Sequence, residues 1–210
     1  MGIAVYDYRN PEHVKNLFVT SEMRSRILRL EPGLEFSERH SHDLGHEVFL
    51  ILQGVAEFEI NGEIARIEPG QLCFAAVDEP HAVRVVGDEP VIMYLSVTPH
   101  ILPTHTMLTQ NGERKPIHFA GPDAYDVALD PGVSRADRVE QQRRAANELA
   151  ARANALAETH SKVLDELESS EANAEEIRVR LWEDVYRVYR DVAEFGESWN
   201  DLASDLGAAR

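Results

Sequence analysis

Cysteine is almost absent from this 210-residue sequence. Cys73 stands alone, so no internal disulfide can form, and the usage fits a reducing compartment. Basic residues are also scarce: 21 Lys and Arg face 37 Asp and Glu, a formal net charge of −16. Binding to phosphate backbones depends on clustered cations that release counterions, so this balance excludes nucleic acid as an expected partner. The acidic excess is spread along the chain, since residues 134–210 hold 11 basic and 17 acidic side chains. No apolar run approaches the roughly 20 residues that a membrane helix requires. The N-terminal MGIAVYDYRNPEHVKNLF lacks both the basic start and the continuous apolar stretch of a secretory signal. A cytoplasmic protein without a membrane partner is the expectation.

What is present divides into three stretches. Up to residue 98, and most clearly from Glu22 to Val97, short runs rich in Val, Ile, Leu and Phe alternate with turn signals. These signals are Pro32-Gly33, Gln53-Gly54, Asn61-Gly62, Pro69-Gly70, Asp78-Glu79-Pro80 and Gly87-Asp88-Glu89-Pro90. Asn61-Gly62 predicts the sharpest hairpin, because both residues tolerate the positive φ of a type I′ turn. Five or more strands joined in this way imply a sandwich or barrel. Residues 99–133, rich in proline and glycine and poor in periodic apolar positions, read as an irregular segment crossing the barrel surface.

From Ser134 the pattern turns helical, with neither proline nor glycine before Gly196. Ser134 is a plausible N-cap and Asp137 stands in the first turn, where the helix dipole favours an acid. Val139, Ala146, Leu149, Ala153, Leu156, Val163 and Leu167 form a 3,4-spaced seam interrupted by Gln142 and His160. A second stripe follows in Ile177, Leu181, Val185, Val188, Val192, Phe195, Trp199 and Leu202. The polar break Glu168-Ser169-Ser170-Glu171 between them predicts an antiparallel helical hairpin over 134–210.

The chemistry concentrates in Arg39-His40-Ser41-His42-Asp43-Leu44-Gly45-His46-Glu47. Residues two apart on a strand share a face, so His40 and His42 project together as paired imidazoles. After a turn or bulge at Asp43-Leu44-Gly45, Glu47 leads Phe49 and Ile51 into one face of the next strand. A carboxylate at the head of two large apolar residues is costly unless a cation meets it. His46, adjacent to Glu47, points to the opposite face. His13, His100, His105, His118 and His160 have no partners at ligand spacing and read as surface or packing residues, and Cys73, between Leu72 and Phe74, reads as a small buried apolar side chain. Val48, Leu50 and Leu52 make the other face of the Glu47 strand apolar too, so the N-terminal segment, the hairpin or a second subunit must cover it.

This stretch closely resembles the cupin family, whose first motif runs His, any residue, His, three or four residues, Glu, six residues, Gly; His40, His42, Glu47 and Gly54 fit it position for position. The second motif runs from a glycine to a histidine that often follows a proline, as do Gly70, Pro80 and His81. Ala76 and Asp78 depart from its usual Pro and Gly, and Val85 from its usual Asn. The resemblance implies a mainly β fold, a double-stranded β-helix of the jelly-roll type over residues 1–98. It further implies a metal centre of His40, His42, Glu47 and His81 holding one divalent transition ion among Fe, Mn, Ni, Zn, Co and Cu, and pairing of two subunits as a homodimer.

Two functions follow. One is a metal-dependent enzyme acting on a small-molecule substrate through dioxygenase, isomerase or lyase-type chemistry, with Tyr94 or Glu57 as candidate inward-facing acid or base. The other is a non-catalytic small-ligand-binding or sensor protein whose helical tail mediates assembly.

Overall fold

The computed structural model describes residues 2–33, 35–167 and 173–207. Its turns match the turn chemistry of the sequence. Asn61 and Gly62 take φ of 50° and 83°, joining the strands β5 (Val55–Ile60) and β6 (Glu63–Ile67) in a two-residue hairpin with Ile60 paired to Glu63. At Gly54 the φ is +73° and a Cβ would lie 2.4 Å from the Pro90 oxygen, so only glycine fits between β4 (His46–Gln53) and β5.

The remaining strands are β1 (Asn16–Val19), β2 (Arg24–Leu30), β3 (His40–Ser41), β7 (Leu72–Ala75), β8 (His81–Val86), β9 (Val91–Thr98) and β10 (Thr106–Met107). All pair antiparallel in two five-stranded sheets, ordered β1-β2-β9-β4-β7 and β10-β3-β8-β5-β6. The two sheets form the expected double-stranded β-helix barrel. Between them lies a core that includes Phe49, Ile51, Phe58, Val91, Met93 and Leu95. Each fully buried large side chain contributes about 1.5–3 kcal/mol, which makes this cluster the main stabiliser of the barrel.

The register fixes which side chains face inward. Arg24, Val97, Glu47 and Ala75 form one cross-strand row; Arg26, Leu95, Phe49 and Cys73 form the next; Leu28, Met93 and Ile51 form a third. Directly paired residues share a face, so each of these rows lines the interior. Tyr94 pairs with Ile27 and Leu50 on the opposite face, and Glu57 alternates with the buried Ala56 and Phe58 and pairs with Arg84. Both residues expected to face the interior as acid or base therefore face outward.

The chain divides into two compact units, residues 1–129 with 206–210, and 130–205. In the second unit α1 (Arg135–Leu167) and α2 (Ala174–Gly207) run antiparallel, with Arg135 joined to Asp205, Gln142 to Ser198, Arg152 to Asp191 and Glu166 to Arg180. Ser134 caps α1: its Oγ accepts from the Asp137 amide at 3.2 Å while Asp137 Oδ2 accepts from the Ser134 amide at 3.0 Å. The buried row of α1 is displaced from the expected seam. Arg138, Ala145 and Val163 are buried, with Gln142, Leu149, Leu156 and His160 half-buried in phase, whereas Val139, Ala146, Ala153 and Leu167 are exposed. The two polar residues read as interruptions thus belong to the seam. On α2 the expected stripe holds except at exposed Val192. The break expected at 168–171 lies outside the described residues. Among the described residues, no helix is long and apolar enough to cross a membrane.

Candidate metal centre

Four side chains converge where β2, β4 and β8 begin and β9 ends. His40 opens β3 and is paired directly with His81, the first residue of β8. His42 follows β3, and Glu47 enters from β4 in the opposing sheet. A tight crossing brings His42 and Glu47 together: a Cβ on Gly45 would lie 2.8 Å from Val97 Cγ1 and 2.9 Å from the Pro99 oxygen, so glycine alone lets the chain pass so close. The second departure from the family motif has a local explanation. Asp78 adopts φ of 63°, a left-handed conformation that Asp tolerates in place of glycine, and its amide donates to the His42 carbonyl at 3.0 Å.

One potential ligand atom from each of His40, His42, Glu47 and His81 lies within 4.8 Å of all the others. His42, Glu47 and His81 are buried and His40 is half-buried. The imidazoles are oriented by the backbone. His42 Nδ1 lies 2.6 Å from the Thr104 carbonyl, His40 Nδ1 3.0 Å from that of Glu38, and His81 Nδ1 2.9 Å from that of Glu79. A carbonyl only accepts, so each Nδ1 carries an N–H, and a ring without a second proton keeps its Nε2 lone pair free. The Nε2 atoms of His42 and His81 lie 2.8 and 3.1 Å from the same Glu47 oxygen, Oε2. Lone pairs facing a carboxylate repel unless a cation lies among them. Nδ1 bonded to a carbonyl with Nε2 directed inward is the arrangement that fixes a metal-ligating histidine, and an N₃O donor set of this kind can hold a divalent transition ion. The residues therefore fit the group.

Burial and the neighbouring charges shift the ionisation of these groups. Burial, aided by the neighbouring His81, pushes His40 down to about 4. Burial opposes ionisation of Glu47; with a proton rather than a metal on the Nε2 atoms of His42 and His81, the hydrogen bonds and charge of those rings hold its carboxyl well below the usual carboxylate range. Cys73 is pushed up to about 12 by burial, consistent with an inert packing role. His46 is exposed, on the opposite side of its strand from Glu47.

Three site residues were not legible in the sequence. His105 packs its ring 5.0 Å from that of His40 and 4.9 Å from that of His42, centroid to centroid, and burial and those neighbours push it down to about 2. Arg24 is buried with one Nη 3.8 Å from Glu47 Oε1, and its guanidinium lies 5.4 Å from the Tyr125 ring centroid. Arg26 occupies the next interior row. A cavity of about 290 Å³ reaches Glu47, His40 and His81 and is also lined by Arg24, Arg26 and His105. Residues 99–129 build part of this surround: Thr104 anchors His42, while His100 and Tyr125 are buried against each other with Thr104 bonded to His100 at 2.9 Å.

A double-stranded β-helix that gathers three imidazoles and a carboxylate at one end defines a class of small β-barrel proteins. Within it residues 26–98 of this chain match the model of the Cupin domain, which places the barrel in the cupin superfamily. Similar solved structures include a conserved protein of unknown function from Streptococcus pyogenes, 30% identical over 40% of this chain and 69% of that one, with a TM-score of 0.36. Others are the protein TT1209 from Thermus thermophilus (25% identical, 46% and 98% covered, TM-score 0.41) and the DMSP lyase DddQ from Ruegeria pomeroyi (24%, 46% and 47%, 0.39). No curated protein matches the chain.

Proposed function

We propose that this protein is a metal-dependent enzyme in which His40, His42, Glu47 and His81 hold one divalent transition ion and a small molecule reacts beside it inside the barrel. One observation carries the reading. The Nδ1 atoms of all three imidazoles are bonded to backbone carbonyls, leaving three Nε2 lone pairs and a carboxylate to share one buried volume. Protons could satisfy these acceptors only pairwise; a metal ion satisfies all four together. A divalent ion so held supplies Lewis acidity and keeps one or two coordination positions for water or substrate.

The chain's own residues do the rest. Leu28, Phe58 and Met93 give the adjoining cavity apolar walls, and an apolar surround strengthens the charge interactions beside it. His105, kept neutral, offers one N–H donor and one acceptor lone pair to a molecule in that cavity. The donor set admits Fe, Mn, Ni, Zn, Co or Cu, and dioxygenase, isomerase and lyase-type reactions are all compatible with it.

Loading metal-free protein with each ion in turn tests this. About one equivalent per chain is expected by elemental analysis, in line with a single four-donor site. Turnover of a small phenolic, keto-acid or thiol compound, or consumption of dioxygen, should follow with at least one ion. Failure to retain any ion would overturn the reading. Retention without turnover across the panel would favour the ligand-sensing alternative, which has its own motivation in an exposed row on α2: Val179, Trp182, Tyr186 and Tyr189 at 3,4 spacing.

We further place the protein in the cytoplasm, on the strength of its lone thiol, and propose that it forms a homodimer through the outer face of the β4 sheet. There Val48 pairs with the exposed Phe74 and Leu50 with the exposed Leu72, giving a contiguous apolar surface. Phe74→Asp is expected to halve the mass seen by light scattering without changing metal content. A wild-type protein that already scatters as a monomer would refute the dimer.

A further inference from the structure

Charged side chains are rarely placed in an interior row of a β-barrel, because burying a cation without a partner is costly. Here two guanidiniums occupy consecutive interior rows of β2. Arg24 shares a row with Glu47, and Arg26 shares the next with Leu95 and Phe49. The side chain of Arg24 is only 5% exposed. The Nε atoms of both arginines are buried and have no hydrogen-bond partner among the described residues. Both side chains line the cavity that reaches the His40/His42/Glu47/His81 cluster.

The local anions do not account for them. Glu47 approaches Arg24 only at 3.8 Å, and its Oε2 is engaged by His42 and His81. Asp126, the acid whose charge reaches Arg26, is held by the Asn16 amide and side chain at 2.9 Å, and no ion pair between Asp126 and Arg26 forms among the described residues. Two guanidiniums against one carboxylate leave the cavity cationic, and a divalent ion would make it more so.

We propose that Arg24 and Arg26 form the receptor for a substrate carboxylate, so that the molecule held beside the four-residue cluster is a small carboxylate with a short apolar body. The identity of the reacting molecule rests on the metal-enzyme reading; the anion receptor itself does not. The class follows from the shape and chemistry of the cavity. Guanidinium is a planar fork that meets a planar carboxylate with two parallel N–H···O bonds. Beyond the fork, Leu28, Leu30 and Met93 offer only apolar contact, which suits a hydrocarbon body. A tetrahedral phosphate does not match the planar fork and would turn an oxygen toward these apolar walls. The volume of about 290 Å³ sits at the lower end of the range for small-molecule sites.

Calorimetry on the full-length protein, with and without metal, tests the proposal using butyrate, its uncharged isostere butyramide, and inorganic phosphate. Metal content of every sample is measured in parallel. Butyrate is expected to bind at least tenfold more tightly than butyramide or phosphate. Arg26→Gln should weaken butyrate at least tenfold while leaving metal content unchanged, and Arg24→Lys, which keeps the charge but loses the fork, should weaken it by a smaller factor. Should Arg26→Gln not fold by circular dichroism, Arg26→Lys replaces it with the same direction expected. Absence of butyrate binding, equal binding of butyrate and butyramide, tighter binding of phosphate, or unchanged affinity in the arginine variants would each overturn the receptor. If the protein retains no metal yet discriminates butyrate through Arg26, the metal-enzyme reading fails and the receptor stands.

Discussion

Replacing His42 by Ala is expected to abolish metal retention at micromolar protein. Loss of an outer-shell partner alone typically lowers affinity 10- to 100-fold, and removal of a ligand should exceed about 100-fold. Of the four proposed ligands, His42 is the most firmly held. It is 2% exposed, its Nδ1 is bonded at 2.6 Å to the Thr104 carbonyl, and its Nε2 meets Glu47 at 2.8 Å. Truncation removes a donor and leaves a cavity that the backbone cannot refill, because Gly45 already lets β4 approach as closely as Val97 and Pro99 allow. Glu47→Gln is the sharper test of charge. The amide nearly preserves shape but cancels the one negative charge in the cluster, leaving Arg24 facing the metal without its counterion. Elemental analysis after dialysis against a weak chelator, with circular dichroism to confirm folding, reads both variants. His46→Ala, on the exposed side of β4, serves as the control and should keep its metal. Full occupancy in both His42→Ala and Glu47→Gln would remove the basis for the centre.

The sequence displayed the four-residue cluster because its chemistry is packed into a short span. His40, His42 and Glu47 lie within eight residues, so strand periodicity and one turn suffice to place them together. His81 carried the weaker signal of a proline before it and a glycine upstream, and the register supplied the rest by pairing it with His40. The residues that went unread are those whose position depends on long-range pairing. Arg24 and Arg26 are in phase with Leu28 and Leu30, an alternation visible in RSRILRL, but Ile27 supplies an apolar residue to the other phase as well. Only pairing with β9 shows which phase is interior. The phase of β9 itself is illegible, since six of its eight residues are buried, so the sequence alone does not show that Tyr94 faces outward. His105 lies 63 residues from His42 in an irregular segment where no periodicity constrains direction. In α1, treating Gln142 and His160 as interruptions moved the seam by one residue at Val139 and Ala146. Both polar residues instead lie in the half-buried row, where Gln142 accepts from the Ser198 hydroxyl of α2 at 2.5 Å.

Acidification of the metal-free protein is expected to destabilise it steeply from about pH 6.5 downward, the range in which unfolded histidines take up protons. In the folded state His40 is pushed down to about 4 by burial and His81. His100 is pushed to about 3 by burial and the Arg24 charge, and His105 to about 2 by burial and His40. Between about pH 6.5 and pH 4 the unfolded chain therefore binds protons that the native state excludes. Stability then falls as pH falls, by up to about 1.4 kcal/mol per pH unit for each histidine, less where residual solvent screens the site. Glu47 acts in the same direction over a lower window. Its native carboxyl is held below the ordinary value, so the stability it contributes is present above about 4.5 and lost as pH drops further. A bound divalent ion competes with protons for Nε2 of His40, and depression of that ring moves the competition below the ordinary histidine range. Metal release should accordingly follow, in pH, the onset of destabilisation seen without metal. Urea melts of chelator-treated protein at pH 7.5, 6.5, 5.5 and 4.5 measure the slope directly. His105→Gln should flatten it by about one proton's worth while the wild type loses several kcal/mol across the series. A melting midpoint unchanged between pH 7.5 and 5 would show that these three imidazoles are not held neutral by burial.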